Sequence, residues 1–490
     1  MKRSATQLAV SGVALLILAG CKPVGPNYRR PQYSAPGAYK EAGGDAMRVP
    51  PPKPTGGDWK TATPSDGMLR GKWWEIYNDP QLNKYEDRIE SNNQDLKSAL
   101  ETYLAAAEQI KAARAALAPT LTAGPGFTHS KLSENQPGIS PGMKTSYNTL
   151  TLTGTASWEP DFFGRIRRTV ESARASAGAS AADLANLDLL LQAQLATAYF
   201  ELRGADAQKR MLEATIADLE GSLKLTEQRL AGGVATEGDV ADAQTALETS
   251  RAQLVDIGVA RAQYEHAVGT LAYYQLTDFS IPDSPLEGSP PQVPVGVPSQ
   301  LLERRPDIAA AERRAAAANA QIGIAISAYY PSIPLVANGG FESTHGGTWI
   351  QGPSALWTLG AQATELLFDA GQRHALTAQA RHDYEAEVAN YRSSIFHAFN
   401  DVEDQMSTLR ILGDEAVAAD KAVAAAQHAY DISVARYKGG VTSYLEVLTA
   451  ESVLLSNQRN AIDVETRRYA ASVSLIRALG GGWDSSNLPK

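Results

Sequence analysis

The only cysteine of the chain, Cys21, directly follows Leu18-Ala19-Gly20, a spacing that resembles the bacterial lipobox. Cleavage before it would leave a thiol beside a new amino group. The chemistry offered is then acylation, a covalent lipid that tethers the chain to a membrane, because one cysteine cannot form an internal disulfide. A second set of residues lies far along the chain. Asp239 and Asp242 are three apart, hence on one helical face. Glu446 stands 207 residues after Asp239, and Arg229 and Arg436 precede these acids at the same offset. Carboxylates gathered in rings favour cations and repel anions, and arginines at the preceding helix ends are suitable partners to hold them. No catalytic arrangement competes with these two features. The chain has no phosphate loop, no H-E-x-x-H, no nucleophile elbow and no cysteine pair. Its seven histidines are scattered, and His374 and His382, eight apart on a helix, read as solvated side chains. The residues point to a protein that is not an enzyme, with no metal and no cofactor beyond a lipid on Cys21.

The leader agrees with this. Lys2 and Arg3 precede an apolar run over 10–19, too short for a membrane span and typical of a secretory signal. Residues 1–20 are therefore read as a signal peptide. Lys22 stands where an Asp would signal retention in the inner membrane, so the outer membrane is expected. The net charge of −9 argues against a nucleic-acid surface.

An internal repeat organises the rest. At an offset of 207, Gly164 aligns with Gly371, Arg203 with Arg410, Gly232-Gly233-Val234 with Gly439-Gly440-Val441, and Arg261 with Arg468. Upstream the offset is 212, as in Asp95/Asp307 and Pro119/Pro331, so the change of length falls between Pro119 and Asp161. Each copy opens with an Ala-rich helix, 95–117 or 307–328, passes through a β segment, and enters a proline-free stretch, 161–281 or 354–488. Proline breaks helix interiors, so its absence there predicts long helices. Leu212, Ile216, Leu219, Leu223 and Leu230 keep a 3.5-residue period, as do Val240, Leu247, Leu254 and Val268, the mark of coiled-coil packing. Gly232-Gly233 and Gly439-Gly440 end one helix, and Thr236 and Ser443 stand at the N-cap of the next. Each copy is thus read as an antiparallel helical hairpin with its tip at the glycines. The first arm, from Arg165 to Leu230, would be roughly 100 Å long.

The β segments alternate polar and apolar residues. In 149–158, Leu150, Leu152, Ala156 and Trp158 alternate with threonines and a serine; in 355–364, Trp357, Leu359, Ala361 and Ala363 alternate with Thr358, Gln362 and Thr364. Weaker partners lie near 121–130 and 333–343. Such strands fit a sheet with one apolar face and are long enough to cross a bilayer when tilted. Four strands cannot close a barrel, since roughly eight are needed. An open edge in lipid would leave backbone groups unpaired. Membrane insertion therefore requires several protomers to share one barrel.

The lipobox with "CKPVGPNYRRP" (21–31), "WWEIYNDPQLNKYEDRIESNNQDL" (73–96), "LLERRPDI" (301–308) and "ALGGGW" (478–483) together resemble the outer-membrane factor family of TolC-like efflux channels, and more particularly its lipidated OprM-type branch. The resemblance covers almost the whole mature chain. It implies a homotrimer in the outer membrane: a 12-stranded β-barrel continued by a long α-helical coiled-coil barrel through the periplasm, a mainly α fold built from the two repeats. It implies, as partners, a periplasmic adaptor at the hairpin tips and an inner-membrane transporter, expected to be of RND type, with no nucleic acid. The adaptor-contact residues would be Gly232, Gly233, Val234 and Thr236 on one tip and Gly439, Gly440, Val441 and Ser443 on the other. Asp239, Asp242, Glu446, Arg229 and Arg436 become candidates for a gate. In relatives an aspartate commonly stands where this chain has Thr449, and the acid at the equivalent place of the first hairpin is Asp242. The expected organisation is a signal peptide at 1–20, a lipid-anchored extended segment at 21–72, the first repeat at 73–283, the second repeat with its linker at 284–483, and a tail at 484–490. Short helices are expected near 76–94 and 284–306.

The function so implied is passive conduction of small molecules, such as drugs and toxic compounds, from periplasm to exterior as part of a tripartite efflux system. An outer-membrane channel for type I protein secretion would share the fold. A trimeric coiled-coil structural lipoprotein is a third reading, which the alternating strands count against.

Overall fold

A computed structural model of the chain describes residues 22–33, 35–36, 38–42, 71–140, 142–293, 295 and 304–482. The signal peptide, Cys21, most of the extended N-terminal segment and the tail at 484–490 lie outside the described residues.

The repeat is visible in the element boundaries. Helix α1 covers Pro80–Asn92 and α2 covers Gln94–Ala115; strands β1 and β2 cover Thr120–Lys131 and Ser146–Trp158; helices α3 and α4 cover Arg165–Ala231 and Glu237–Leu271. The second copy has α5 over Pro306–Ser327, β3 over Leu335–Ser343, β4 over Ala355–Ala361, α6 over Gln372–Lys438 and α7 over Tyr444–Ala478. Helices α3 and α6 are both 67 residues long, and α4 and α7 are both 35. Side chains that pack in register along a helix cannot absorb an insertion, so the copies differ in the strands and their connecting loops. Gly164 and Gly371, which precede the two long helices, both adopt positive φ, 84° and 89°.

Of the short helices expected near 284–306, residues 294 and 296–303 lie outside the described residues. Residues 284–293 form no helix, and α5 begins at Pro306. Pro285, Pro290 and Pro291 account for this, since proline lacks the amide donor and disfavours helical geometry in the residue before it. The earlier pair is present as a 3-10 turn over Trp73–Tyr77 followed by α1. The last strand is also shorter than its alternation suggests: β4 ends at Ala361, and beyond it the Gln362 amide donates to the Pro334 carbonyl and Thr364 bridges to Ser332.

The chain forms two compact units. The first contains residues up to 32, 102–180 and 311–391; the second contains 33–101, 181–310 and 392–490. Each repeat contributes to both.

The first unit holds one antiparallel sheet in the order β1-β2-β3-β4. The hairpins of the two repeats join through β2 and β3, with Gly154 opposite Gly339 and Leu152 opposite Phe341. This register collects one apolar face. Leu121 faces Ala156 and Phe127 faces Leu150; Trp158 faces Leu335; Ala337 faces Leu359 and Gly339 faces Trp357. The opposite face carries Thr122, Thr155 and Asn338, with the Thr155 hydroxyl donating to Asn338 Oδ1 at 2.7 Å. Gly340 is obligatory, because a Cβ there would lie 2.0 Å from the Leu152 carbonyl oxygen. The apolar face has no cover among the described residues, and Trp357 is 76% exposed.

The second unit is all helix and connecting segments. Trp73, Trp74, Leu82 and Ile89 pack with Leu195, Tyr199 and Leu202 of α3, Val268 of α4 and Ile476 of α7 in its main core. Leu212, Leu219, Leu247 and Val268, read from the 3.5-residue period, are buried, as are Val447, Leu454 and Leu475 of α7. A buried ionic network fixes the chain after α4. Asp206 accepts from Arg261 at 2.6 Å, from Arg203 at 3.3 Å and from the Ser284 amide at 3.1 Å. Arg203 also donates to the Pro282 carbonyl at 2.7 Å and the Tyr199 hydroxyl at 2.9 Å. Its repeat partner Arg410 instead meets Glu41 at 2.8 Å.

Candidate functional site at the hairpin tips

Both tips belong to the second unit, and both make the same turn. Gly233 and Gly440 adopt φ of 72° and 76°, the left-handed geometry that glycine reaches without a Cβ penalty. The Gly233 amide donates to the Leu230 carbonyl at 2.9 Å and the Val234 amide to the Arg229 carbonyl at 2.8 Å. At the second tip the Gly440 amide donates to Tyr437 at 2.9 Å and the Val441 amide to Arg436 at 3.0 Å. This paired pattern is a Schellman motif, which satisfies carbonyls that a helix end leaves open. It pushes the next side chain outward: Val234 is 67% and Val441 71% exposed. Gly232 and Gly439 complete the helical bonding to Gln228 and Ala435. The two tips therefore present near-identical apolar knobs.

The start of the following helix differs between copies. Thr236 and Asp239 form a capping box, with the Thr236 amide donating to Asp239 Oδ2 at 2.8 Å and the Asp239 amide donating to Thr236 Oγ1 at 3.2 Å. Ser443 occupies the N-cap of α7, but its hydroxyl makes no cap bond. Glu446, the counterpart of Asp239, is engaged by Arg436 at 2.9 Å, within the same hairpin. Asp242 is exposed on α4, and the Thr449 hydroxyl donates to the Leu445 carbonyl of its own helix at 2.8 Å.

Arg229 has a different partner within the protomer. It does not hold an acid: it crosses to the second hairpin and donates to the Tyr437 carbonyl at 2.6 Å, with its guanidinium 4.5 Å from the centre of the Tyr437 ring. The physical reason is local. The Tyr437 carbonyl, which already accepts from the Gly440 amide, has a second lone pair to offer, and a cation at a helix C-terminus also meets the negative end of its dipole. Arg436 pairs with Glu446 of its own hairpin. The Tyr437 hydroxyl donates to Thr226 Oγ1 of α3 at 3.2 Å, and Tyr437, Tyr444, Val447 and Ala243 form a small core between the hairpins.

Tyr437, Tyr444 and Thr226 were not singled out from sequence. A signal existed: Tyr437 stands where the first copy has Leu230, and Tyr444 where it has Glu237. At these two positions the changed residue joins the core between copies, beside Val447 and Ala243, which keep their type.

The start of the described chain is held at the strand-to-helix corner of the first unit. The Val24 amide donates to the Phe163 carbonyl at 2.9 Å. Arg168, 2% exposed, donates to the Val24 carbonyl at 3.1 Å, the Gly25 carbonyl at 3.2 Å and Asn27 at 2.8 Å. Neighbouring Arg165 and Arg167 pair with Glu159 at 2.8 Å and Asp161 at 3.1 Å. The Lys22 end of the segment is thereby placed next to the end of β2. No group of three or more His, Cys, Asp or Glu suited to a metal ion occurs among the described residues.

Comparison with known proteins agrees with this architecture. The family described as outer membrane efflux protein matches residues 87–272 and again 297–481, once per repeat. The chain is 31% identical over 491 residues to the probable efflux pump outer membrane protein TtgC of Pseudomonas putida, covering 99% of this chain and 96% of that one. A solved structure of the outer-membrane channel OprN superposes with a TM-score of 0.83 at 29% identity, covering 94% of this chain and 99% of the other. The Campylobacter jejuni CmeC outer membrane channel superposes with a TM-score of 0.84 at 23% identity, covering 95% and 96%. With two family matches that fill most of both repeats, the chain belongs to the outer membrane efflux protein family.

Proposed function

We propose that three copies of this chain share one barrel of about twelve strands in the outer membrane. The barrel continues into an α-helical duct through which small molecules leave the periplasm passively. The observation that carries this reading is the four-stranded sheet. Its apolar face is uncovered, and β1 and β4 each pair on one side only among the described residues. In lipid such edges must find strands, and another copy supplies them in register. The efflux role is supported by relatives named as efflux pump outer membrane proteins, among them TtgC. The six exposed tips of a trimer, with Val234 and Val441 outward, would dock a periplasmic adaptor that delivers cargo from an inner-membrane transporter of RND type. Asp239, Asp242 and Glu446 would set a cation preference at the periplasmic end.

The lipid on Cys21 fits the same picture. Residues 24–27 are held beside the corner that follows β2 by Arg168, which supports an anchor attached a few residues earlier in the chain. The test is the mass of the native complex in mild detergent. Three copies are expected, and a well-folded monomer would remove the shared barrel.

A further inference from the structure

A cavity of about 520 Å³ lies within the second unit between α3, α6 and α7, away from the tips. Its volume is within the range that holds drug-sized molecules. The walls are largely apolar, with Met211 from α3, Val423 from α6, and Leu455 and Ile462 from α7. Three carboxylates reach it, Asp218, Asp420 and Glu451, against the single guanidinium of Arg210. Arg210 is already drawn toward Glu287, at 4.0 Å.

Glu451 is the unusual member. It is 7% exposed, and its Oε2 is buried with no hydrogen-bond partner. A buried carboxylate oxygen without a donor is costly unless a proton or a cation joins it. Asp218 of α3, Tyr430 of α6 and Tyr444 of α7 interact with it, Asp431 acts on Tyr430, and Arg210 and Asp420 line the same cavity. Burial first, and the negative charge of Asp218 second, push the Glu451 carboxyl up to about 7. A cation entering the cavity would reverse both effects. An inorganic ion is the wrong shape for it, since no metal-holding group of carboxylates forms among the described residues and most of the wall is hydrocarbon. An organic cation satisfies both halves: its charge meets Glu451 and Asp218, its body meets the aliphatic wall, and Tyr430 offers a ring face for cation–π contact.

We infer that this cavity is a binding site for hydrophobic organic monocations, with Glu451 as the counter-ion. Resting on the reading of the chain as an efflux duct, it assigns one class of cargo a resting place outside the tips. Position 451 also breaks the repeat, because the first copy has Gln244 there. One such site per protomer follows, rather than two.

The test uses the full-length chain in uncharged detergent, with ethidium as the probe and fluorescence anisotropy as the readout. At pH 8 binding should be saturable. Glu451→Gln should weaken it by about tenfold or more, the loss expected for one charge-assisted contact. Acidification to pH 5.5 should weaken binding to the unmodified chain and leave the Gln variant unchanged. Ala214→Phe, on the exposed rim of the cavity, keeps the acid and should block binding sterically. Absence of saturable binding, or equal affinity in the unmodified and Glu451→Gln chains, overturns the inference. Export of an uncharged compound by cells carrying the chain with its pump is scored in parallel. Intact export without ethidium binding sinks the cation site alone, whereas ethidium binding without any export sinks the duct reading and leaves the site standing.

Discussion

Arg229 bonds across to the Tyr437 carbonyl at 2.6 Å, joining the first hairpin to the second close to both tips. Arg436, its counterpart in the repeat, turns back to Glu446 of its own hairpin. Two arginines at equivalent positions thus do different things: one couples the hairpins and the other stiffens one of them. A charge-assisted hydrogen bond contributes about 1.5–3 kcal/mol, and partial exposure reduces that. Arg229→Ala should therefore raise the resting conductance of the channel in planar bilayers, and Arg436→Ala should raise it less. Equal conductance in unmodified and Arg229→Ala channels would show that this contact does not hold the tips.

The acids of the tip test the proposed cation preference. Asp239 is committed to the cap of α4, while Asp242 is exposed. Asp242→Asn should lower cation over anion permeability with little effect on folding, because no cap depends on it. Reversal potentials in a salt gradient measure this. Unchanged selectivity in an Asp242→Asn, Glu446→Gln double variant would reduce these carboxylates to surface charges that complement helix dipoles.

The tip glycines separate fold from docking. Open space surrounds a Cβ at Gly233, and at Gly440 the nearest atom is an Arg229 nitrogen at 3.7 Å. The cost of substitution is then backbone strain, about 1–2 kcal/mol per site, rather than a clash. Gly233→Leu with Gly440→Leu should leave the assembled complex intact, displace Val234 and Val441, and abolish adaptor crosslinking and drug resistance. Full crosslinking in that variant would refute adaptor docking at the tips.

Asp206 is a test of the buried network. It is fully buried between Arg203 and Arg261, and removing it strands Arg203 without its charge partner. Asp206→Ala should lower stability by about 3–5 kcal/mol, seen as a large drop in the unfolding midpoint in detergent. A change under about 1 kcal/mol would mean that the arginines find other partners.

Stability should fall as pH rises from about 4 to 8. Burial, with Asp188 adding repulsion, holds the Glu86 carboxyl well above its usual range; neither Glu86 oxygen has a hydrogen-bond partner. Burial and Glu90 push Asp188 up to about 6, and Glu451 reaches about 7. A carboxyl with a raised folded pKa binds more protons folded than unfolded, so its stabilising effect is complete below the unfolded value and is lost through the folded one. Glu86→Gln and Glu451→Gln should each flatten the decline in thermal midpoint over this window. An unaltered slope in both would place the titrating groups elsewhere.

Much of this protein could be read directly from its amino acids, because periodic features depend on local rules. The absence of proline, the 3.5-residue spacing and the paired glycines determine the lengths and turns of α3, α4, α6 and α7, since each rule acts within a few residues along one helix. Alternation in the same way marks the four strands and their apolar face. What the tertiary structure decided are contacts between residues remote in sequence. The pairing of β2 with β3, the grip of Arg168 on residues 24–27, the choice of Tyr437 rather than an acid by Arg229, and the orphaned oxygen of Glu451 all depend on which surfaces meet. Residues 284–293 form no helix, which again follows from a local rule, since Pro285, Pro290 and Pro291 fall within them. Equivalent residues of a repeat share a backbone geometry but not an environment, and the environment determines where a charge finds its partner.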